Sequence, residues 1–83
     1  MATPKDIVES AVAENKTVVF AKSYCPYCKK SKALLESLNV QYALFDLDLR
    51  PDGDALQAYL LEKTGQKSVP NIFVSQQHVG KSS

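Results

Sequence analysis

Four apolar positions near the start of the chain, Ile7, Val8, Ala11 and Val12, fall on one face of a helix. Thr3-Pro4-Lys5-Asp6 supplies its beginning: a hydroxyl for the N-cap, proline at the first helical position and an acid in the first turn. Asn15 supplies its end. The next apolar run, TVVFA at 17–21, does not alternate, which predicts a strand buried on both faces as in a parallel sheet. From Pro26 to about Leu38 there is no glycine or second proline, and Cys28, Leu34, Leu35 and Leu38 recur at helical spacing among lysines and Glu36. This predicts an amphipathic helix. QYALFDLDL, 41–49, alternates Phe45, Leu47 and Leu49 against Asp46 and Asp48, and predicts a second strand. Residues 50–53 form a turn, and Ala55, Leu56, Tyr59 and Leu60 mark a third helix ended by Gly65. NIFVS, 71–75, predicts a third strand, with Gln76-Gln77 turning the chain into a brief fourth strand at 78–80.

The order αβαβαββ places the strand–helix–strand portion in a right-handed βαβ unit. The fold class is α/β, a four-stranded mixed sheet flanked by helices, in a single domain over residues 1–83. A chain of 83 residues can bury only a modest core. Its 45% hydrophobic and 23% charged content excludes a collagenous, disordered or membrane chain. A net charge of +1 gives no global basis for nucleic-acid binding. No stretch approaches the roughly 20 apolar residues of a membrane helix. Asp6 and Glu9 interrupt the region where a signal peptide needs an apolar core, so the default address is cytoplasmic.

The only two cysteines, Cys25 and Cys28, lie in SYCPYC at 23–28. A structural disulfide is unexpected in the cytosol, and a bridge across two residues closes a loop too short to constrain the unfolded chain much. Zinc needs further ligands, and beyond the two cysteines the chain has one histidine, His78, so no metal is expected. A pair of reactive thiols remains. Cys25 follows the buried strand and stands at the mouth of the next helix, where free N–H groups and the helix dipole favour a thiolate. Cys28 lies one turn deeper on the same side, within reach of a mixed disulfide at Cys25. Lys22, Lys29, Lys30 and Lys32 surround the pair with no acid between residues 22 and 32. That charge would draw an anionic thiol substrate, with Lys22 the lysine best placed to reach the Cys25 sulfur or a substrate carboxylate. For Lys29, Lys30 and Lys32 a solvated helix face is the favoured reading.

Ser68-Val69-Pro70 precedes the third strand. Proline is tolerated at a strand's first residue, and a cis bond there would alternatively present backbone groups to an extended peptide. CPYC after an apolar strand, the downstream QKSVP and the terminal HVG together resemble a dithiol glutaredoxin of the thioredoxin superfamily. Thioredoxin itself is similar in fold, but its site looks like WCGPC and this chain has no tryptophan.

The resemblance implies a thioredoxin-like fold and a glutathione-dependent thiol–disulfide oxidoreductase acting on protein disulfides and protein–glutathione mixed disulfides. Cys25 would be the nucleophile and Cys28 the resolving thiol, the two forming a redox-active disulfide. Glutathione would be the co-substrate, with Lys22 and Gln66 on its glycine carboxylate, Tyr27 beside it and the Val69 backbone on its cysteinyl unit. Pro70 would be a cis proline, and Ser82 and Ser83 would meet the γ-glutamyl end. The partners implied are glutathionylated or disulfide-containing proteins and, indirectly, the glutathione reductase system, with the chain itself a monomer. Some glutaredoxins dimerise around a [2Fe–2S] cluster, and Pro26 argues against that here, since cluster-binding relatives tend to carry a smaller residue after the nucleophile.

Three positions depart from the family pattern: Ser68 for threonine, Lys81 for a second glycine, and an end at Ser83 before the usual aspartate and C-terminal helix. The expectation is a fold missing that helix. One flank of the sheet and the first helix would be open to self-association, and stability and glutathione binding would be reduced.

Overall fold

Thr3 opens the first helix, α1 (Pro4–Glu14), through a reciprocal cap. Its hydroxyl accepts the Asp6 N–H at 3.1 Å, and the Asp6 carboxylate accepts the Thr3 N–H at 3.2 Å. Two donors that a helix start leaves orphaned are thereby satisfied. Asn15 closes the helix, its backbone N–H and side-chain amide both donating to the Ala11 carbonyl. The computed structural model describes residues 3–80. After α1 come β1 (Thr17–Ala21), α2 (Pro26–Ser37), β2 (Ala43–Asp46), a 3-10 turn (Leu47–Leu49), α3 (Gly53–Thr64), β3 (Asn71–Val74) and β4 (Gln77–Gly80). Among the described residues no helix is long and apolar enough to cross a membrane.

The four strands form one mixed sheet in the order β2-β1-β3-β4, with β2 parallel to β1 and both other pairings antiparallel. β1 is an inner strand buried at all five positions, which is why its sequence does not alternate. Val18 and Phe20 face α1 and α3, where they pack with Val8, Val12, Leu56 and Leu60. Phe20 stacks on Phe45 with ring centres 5.1 Å apart and meets Phe73 edge-on at 5.9 Å. Val19 and Ala21 face the other way, into a smaller cluster with Cys25, Cys28 and Ile72. The reactive thiols are therefore part of the second core. Across the first core, Glu9 on α1 accepts the Tyr59 hydroxyl and pairs with Lys63 at 2.8 Å, both on α3. Lys63, then Tyr59, hold the Glu9 carboxyl below its usual range, and the bond to Glu9 pushes the Tyr59 phenol up to about 12.

The structure corrects the sequence-based reading in several places. The second strand stops at Asp46, because its partner β1 ends at Ala21, opposite Asp46, and offers no further ladder. Leu47–Leu49 wind into the 3-10 turn instead, with Leu47 buried beneath α3 and Leu49 exposed. On α2 the buried residues are Cys28 and Ser31, with Leu35 packed beside them, whereas Leu34 is 53% and Leu38 63% exposed. Leu34 is rotated by about 100° from Leu35 and so leaves the sheet-facing stripe. The first helix packs against α3. The hairpin turn is Ser75-Gln76, one residue earlier than expected, with both residues in the left-handed region at φ 51° and 67°. This is the backbone pattern that two-residue hairpins favour, here built without glycine. A bond from the Ser75 N–H to the Lys16 carbonyl at 2.7 Å holds it.

Gly53 is not a turn glycine but the first residue of α3. A Cβ there would lie 1.7 Å from the Leu47 carbonyl oxygen, so the approach of α3 to the 3-10 turn requires glycine. Gly65 is a different case: it caps α3 at φ 75° with open space around it. Gly53→Ala is expected to cost about 3 kcal/mol through overpacking, lowering Tm by roughly 12–24 °C in a domain of this size. Gly65→Ala should cost only about 1–2 kcal/mol for the left-handed backbone. Thermal melts of the two variants check the order, and a Gly53→Ala melt equal to that of the parent would refute the close approach.

Candidate active site

The chain leaves β1 through a tight turn, residues 22–25, closed by the Cys25 N–H donating to the Lys22 carbonyl at 3.1 Å. Cys25 is then the N-cap of α2, in extended conformation, with Pro26 at the first helical position where no N–H is needed. Its sulfur accepts the Cys28 N–H at 3.3 Å. The sulfur occupies the capping role usually taken by a serine or aspartate oxygen. Both cysteines are free. Cys25 is less open than a helix mouth suggests: it is 9% exposed, and Cys28 is fully buried.

The two thiols are driven apart in acidity. Burial pulls the Cys25 pKa up. It is outweighed by the hydrogen bond from the Cys28 thiol, the N–H groups of Cys28 and Tyr27, and the Lys22 ammonium, so the net shift is downward. Cys28 is pushed up to about 11, first by burial, then by its bond to Cys25 and by repulsion from that thiolate. One thiol is poised as a nucleophile and the other is kept protonated.

Cys25 forms part of an open cleft of about 510 Å³. One wall comes from the turn before α2, with Lys22, Tyr24 and Pro26. The opposite wall comes from α3 and the loop before β3, with Gln57, Lys67, Ser68 and Val69. The Cys25 thiol lies 3.9 Å from the Val69 carbonyl, to which it donates. The Val69–Pro70 peptide is cis, and Pro70 is buried.

The structure thus gathers Lys22, Cys25 and Val69 on one cleft, with Cys28 behind the nucleophile. Gln66 is placed differently: its amide donates to the Ser68 carbonyl at 2.9 Å and the Pro70 carbonyl at 3.0 Å, so it holds the loop rather than facing the cleft. Tyr27 is exposed beside α2, with the Lys30 ammonium 5.7 Å from its ring centre. Ser82 and Ser83 lie outside the described residues. His78 packs against Phe73 on the hairpin, and among the described residues no three potential metal ligands converge.

Sequence reasoning missed Gln57 and Lys67. Their presence on the cleft depends on α3 and the pre-β3 loop meeting Cys25 across more than 30 positions of chain. A local signal for Gln57 does exist: it is a polar residue directly beside the buried Leu56, on a helix whose start is pinned by Gly53.

A capped, acidic thiol with a buried partner thiol behind it, just past the end of an inner strand of a mixed sheet, defines a thiol–disulfide redox protein of thioredoxin-like fold. The glutaredoxin family model matches residues 17–79. Glutaredoxin-1 of Rhizophagus irregularis is 51% identical over 80 residues, covering 96% of this chain and 79% of that protein. A glutaredoxin of Ricinus communis is 44% identical, covering 96% and 74%. Among solved structures, the buckwheat glutaredoxin–glutathione complex superposes with a TM-score of 0.92 at 42% identity, over 94% of this chain and 71% of that one. Oxidised glutaredoxin 2 of Chlamydomonas reinhardtii gives 0.87 at 39% identity, over 94% and 74%. The chain belongs to the glutaredoxin family and is a thiol–disulfide oxidoreductase.

The acidity difference sets a test. Limited iodoacetamide treatment at neutral pH should add one carbamidomethyl group, on Cys25. Cys28, buried and protonated behind it, should react far more slowly. Peptide mass spectrometry showing equal labelling of both cysteines would contradict the assignment.

Proposed function

We propose that this protein is a glutathione-dependent reductase of protein–glutathione mixed disulfides and protein disulfides, with Cys25 as nucleophile. The observation that carries the reading is the acidic Cys25 sulfur in a cleft lined by Lys22 and Lys67 and large enough for a tripeptide. The similar buckwheat protein, described as a glutathione complex, supports the choice of thiol.

The Cys25 thiolate attacks the glutathionyl sulfur of a mixed disulfide. A Cys25–glutathione disulfide forms, and the target protein leaves as a thiolate that takes a proton from water. A second glutathione thiolate then attacks the bound glutathionyl sulfur, releasing oxidised glutathione and restoring the Cys25 thiolate. Lys22 and Lys67 offer cations to the carboxylates of glutathione, Gln57 lines the same wall, and the Val69 backbone lies where the cysteinyl unit must approach Cys25.

Cys28 gives a second exit. Pushed up to about 11, the Cys28 thiol is overwhelmingly protonated at neutral pH, so it does not compete while Cys25 is free. Once Cys25 is in a mixed disulfide, its negative charge and its bond to the Cys28 thiol are gone, and two of the effects holding Cys28 protonated vanish. Cys28 can then attack the Cys25 sulfur, closing an internal disulfide and expelling glutathione. A reducing, cytoplasmic setting belongs to the same proposal, since the cycle starts from two free thiols.

The experiment is glutathione-coupled reduction of a small glutathionyl mixed disulfide by the parent, Cys25→Ser and Cys28→Ser. Cys25→Ser should be inactive and Cys28→Ser should keep much of the parental rate. Lys22→Gln should raise the KM for the mixed disulfide about three- to tenfold, the loss of one charge-assisted contact. Equal inactivation of both cysteine variants would instead indicate an obligatory dithiol cycle with another reductant.

A further inference from the structure

The turn that delivers Cys25 is held from outside by a residue the redox chemistry does not otherwise use. Ser23, the second residue of that turn, donates its backbone N–H to one carboxylate oxygen of Asp48 at 2.9 Å and its hydroxyl to the other. Asp48 sits in the 3-10 turn after β2, 25 positions along the chain. Both carboxylate oxygens are spent on this one residue, giving a two-point anchor with a defined orientation. The neighbouring Lys22 forms no ion pair with Asp48, although it is close enough for its charge to help hold the Asp48 carboxyl below its usual range, after the two Ser23 bonds. Lys22 remains available to Cys25, whose acidity it increases.

We propose that Asp48 is a positioning residue for the nucleophile: by gripping Ser23 at two points it fixes the turn at 22–25 and keeps the Lys22 ammonium on the Cys25 side of the cleft. The charged and titratable groups on the Cys25 cleft and its supports are Lys22 and Tyr24 in its own turn, Cys28 on α2, Asp48 on the 3-10 turn and Lys67 on the pre-β3 loop.

The sign of one measurement separates an anchor from a bare charge. Acting only as a bare charge, Asp48 would oppose a thiolate at Cys25, and removing it would lower the Cys25 midpoint whether alanine or asparagine replaced it. As an anchor, Asp48 sustains the Lys22–Cys25 arrangement, and its loss would raise that midpoint. Asparagine keeps an accepting oxygen for Ser23 and should largely preserve it.

The pH dependence of iodoacetamide alkylation at Cys25 should therefore be measured for the parent, Ser23→Ala, Asp48→Asn, Asp48→Ala and Ser23→Ala/Asp48→Ala, with thermal melts alongside. In Asp48→Ala the midpoint should rise by about half a unit, slowing alkylation near neutral pH about threefold. Ser23→Ala should show part of that rise, the double variant no more than Asp48→Ala alone, and Asp48→Asn little change. Midpoints unchanged in every variant, or lowered equally by alanine and asparagine, overturn the proposal. Should Asp48→Ala fail to fold, Ser23→Ala against Asp48→Asn decides it: the former must lie above the latter. Glutathione is not used in this readout, so the result stands apart from the identity of the reductant.

Discussion

The hydrogen bond from the Cys28 N–H to the Cys25 sulfur ties folding to chemistry in this chain. A helix start leaves N–H groups that need acceptors, and α2 recruits the reactive sulfur itself for that role. The cap is best when the sulfur is charged, so the same contact that begins the helix lowers the thiol's pKa. The thiolate's contribution to stability is fully present above the unfolded-state pKa and is lost as the pH falls through the depressed folded-state value. Oxidation removes the charge as well. A fold that favours the reduced, anionic form thereby makes its own disulfide easier to reduce.

Everything around that bond serves to hold a charged sulfur in a largely buried place. β1, buried on both faces, brings the chain to the cleft at a fixed height. Cys28 and Ile72 close off the interior side of the sulfur, while the Val69 carbonyl of the loop before β3 faces it and accepts from it only in the protonated form. That loop is in turn held by Gln66, which bridges the Ser68 and Pro70 carbonyls. The result is an asymmetric pair of thiols separated by one helical turn. Their difference in acidity arises from position, since the side chains are chemically identical.

Features set by local chain chemistry were legible in the sequence. The Thr3 cap, the non-alternating β1, Pro26 at the start of α2 and the spacing of Cys25 and Cys28 each follow from a few adjacent residues. Features set by distant contacts were not. Leu47 and Leu49 continue the alternation of β2, and only the end of β1 at Ala21 stops the ladder. Gln66 and Gln57 are both plausible amides for a cleft, but Gln66 turns to its own loop while Gln57 lines the opposite wall from α3. Asp48 reads as a solvent-facing acid of a strand until the fold sets it opposite Ser23. The Ser75-Gln76 turn carries no glycine or asparagine, so its left-handed backbone left no local trace.

The missing side chain at Gly53 has a consequence beyond packing. It lets the start of α3 rest directly on the Leu47 carbonyl. Leu47 begins the short segment that carries Asp48, and α3 carries Gln57. Through that contact the segment behind the nucleophile's turn and the helix that supplies Gln57 to the far wall meet backbone to backbone. A side chain added at this one position, remote from the sulfur, would therefore displace two sides of the cleft at once.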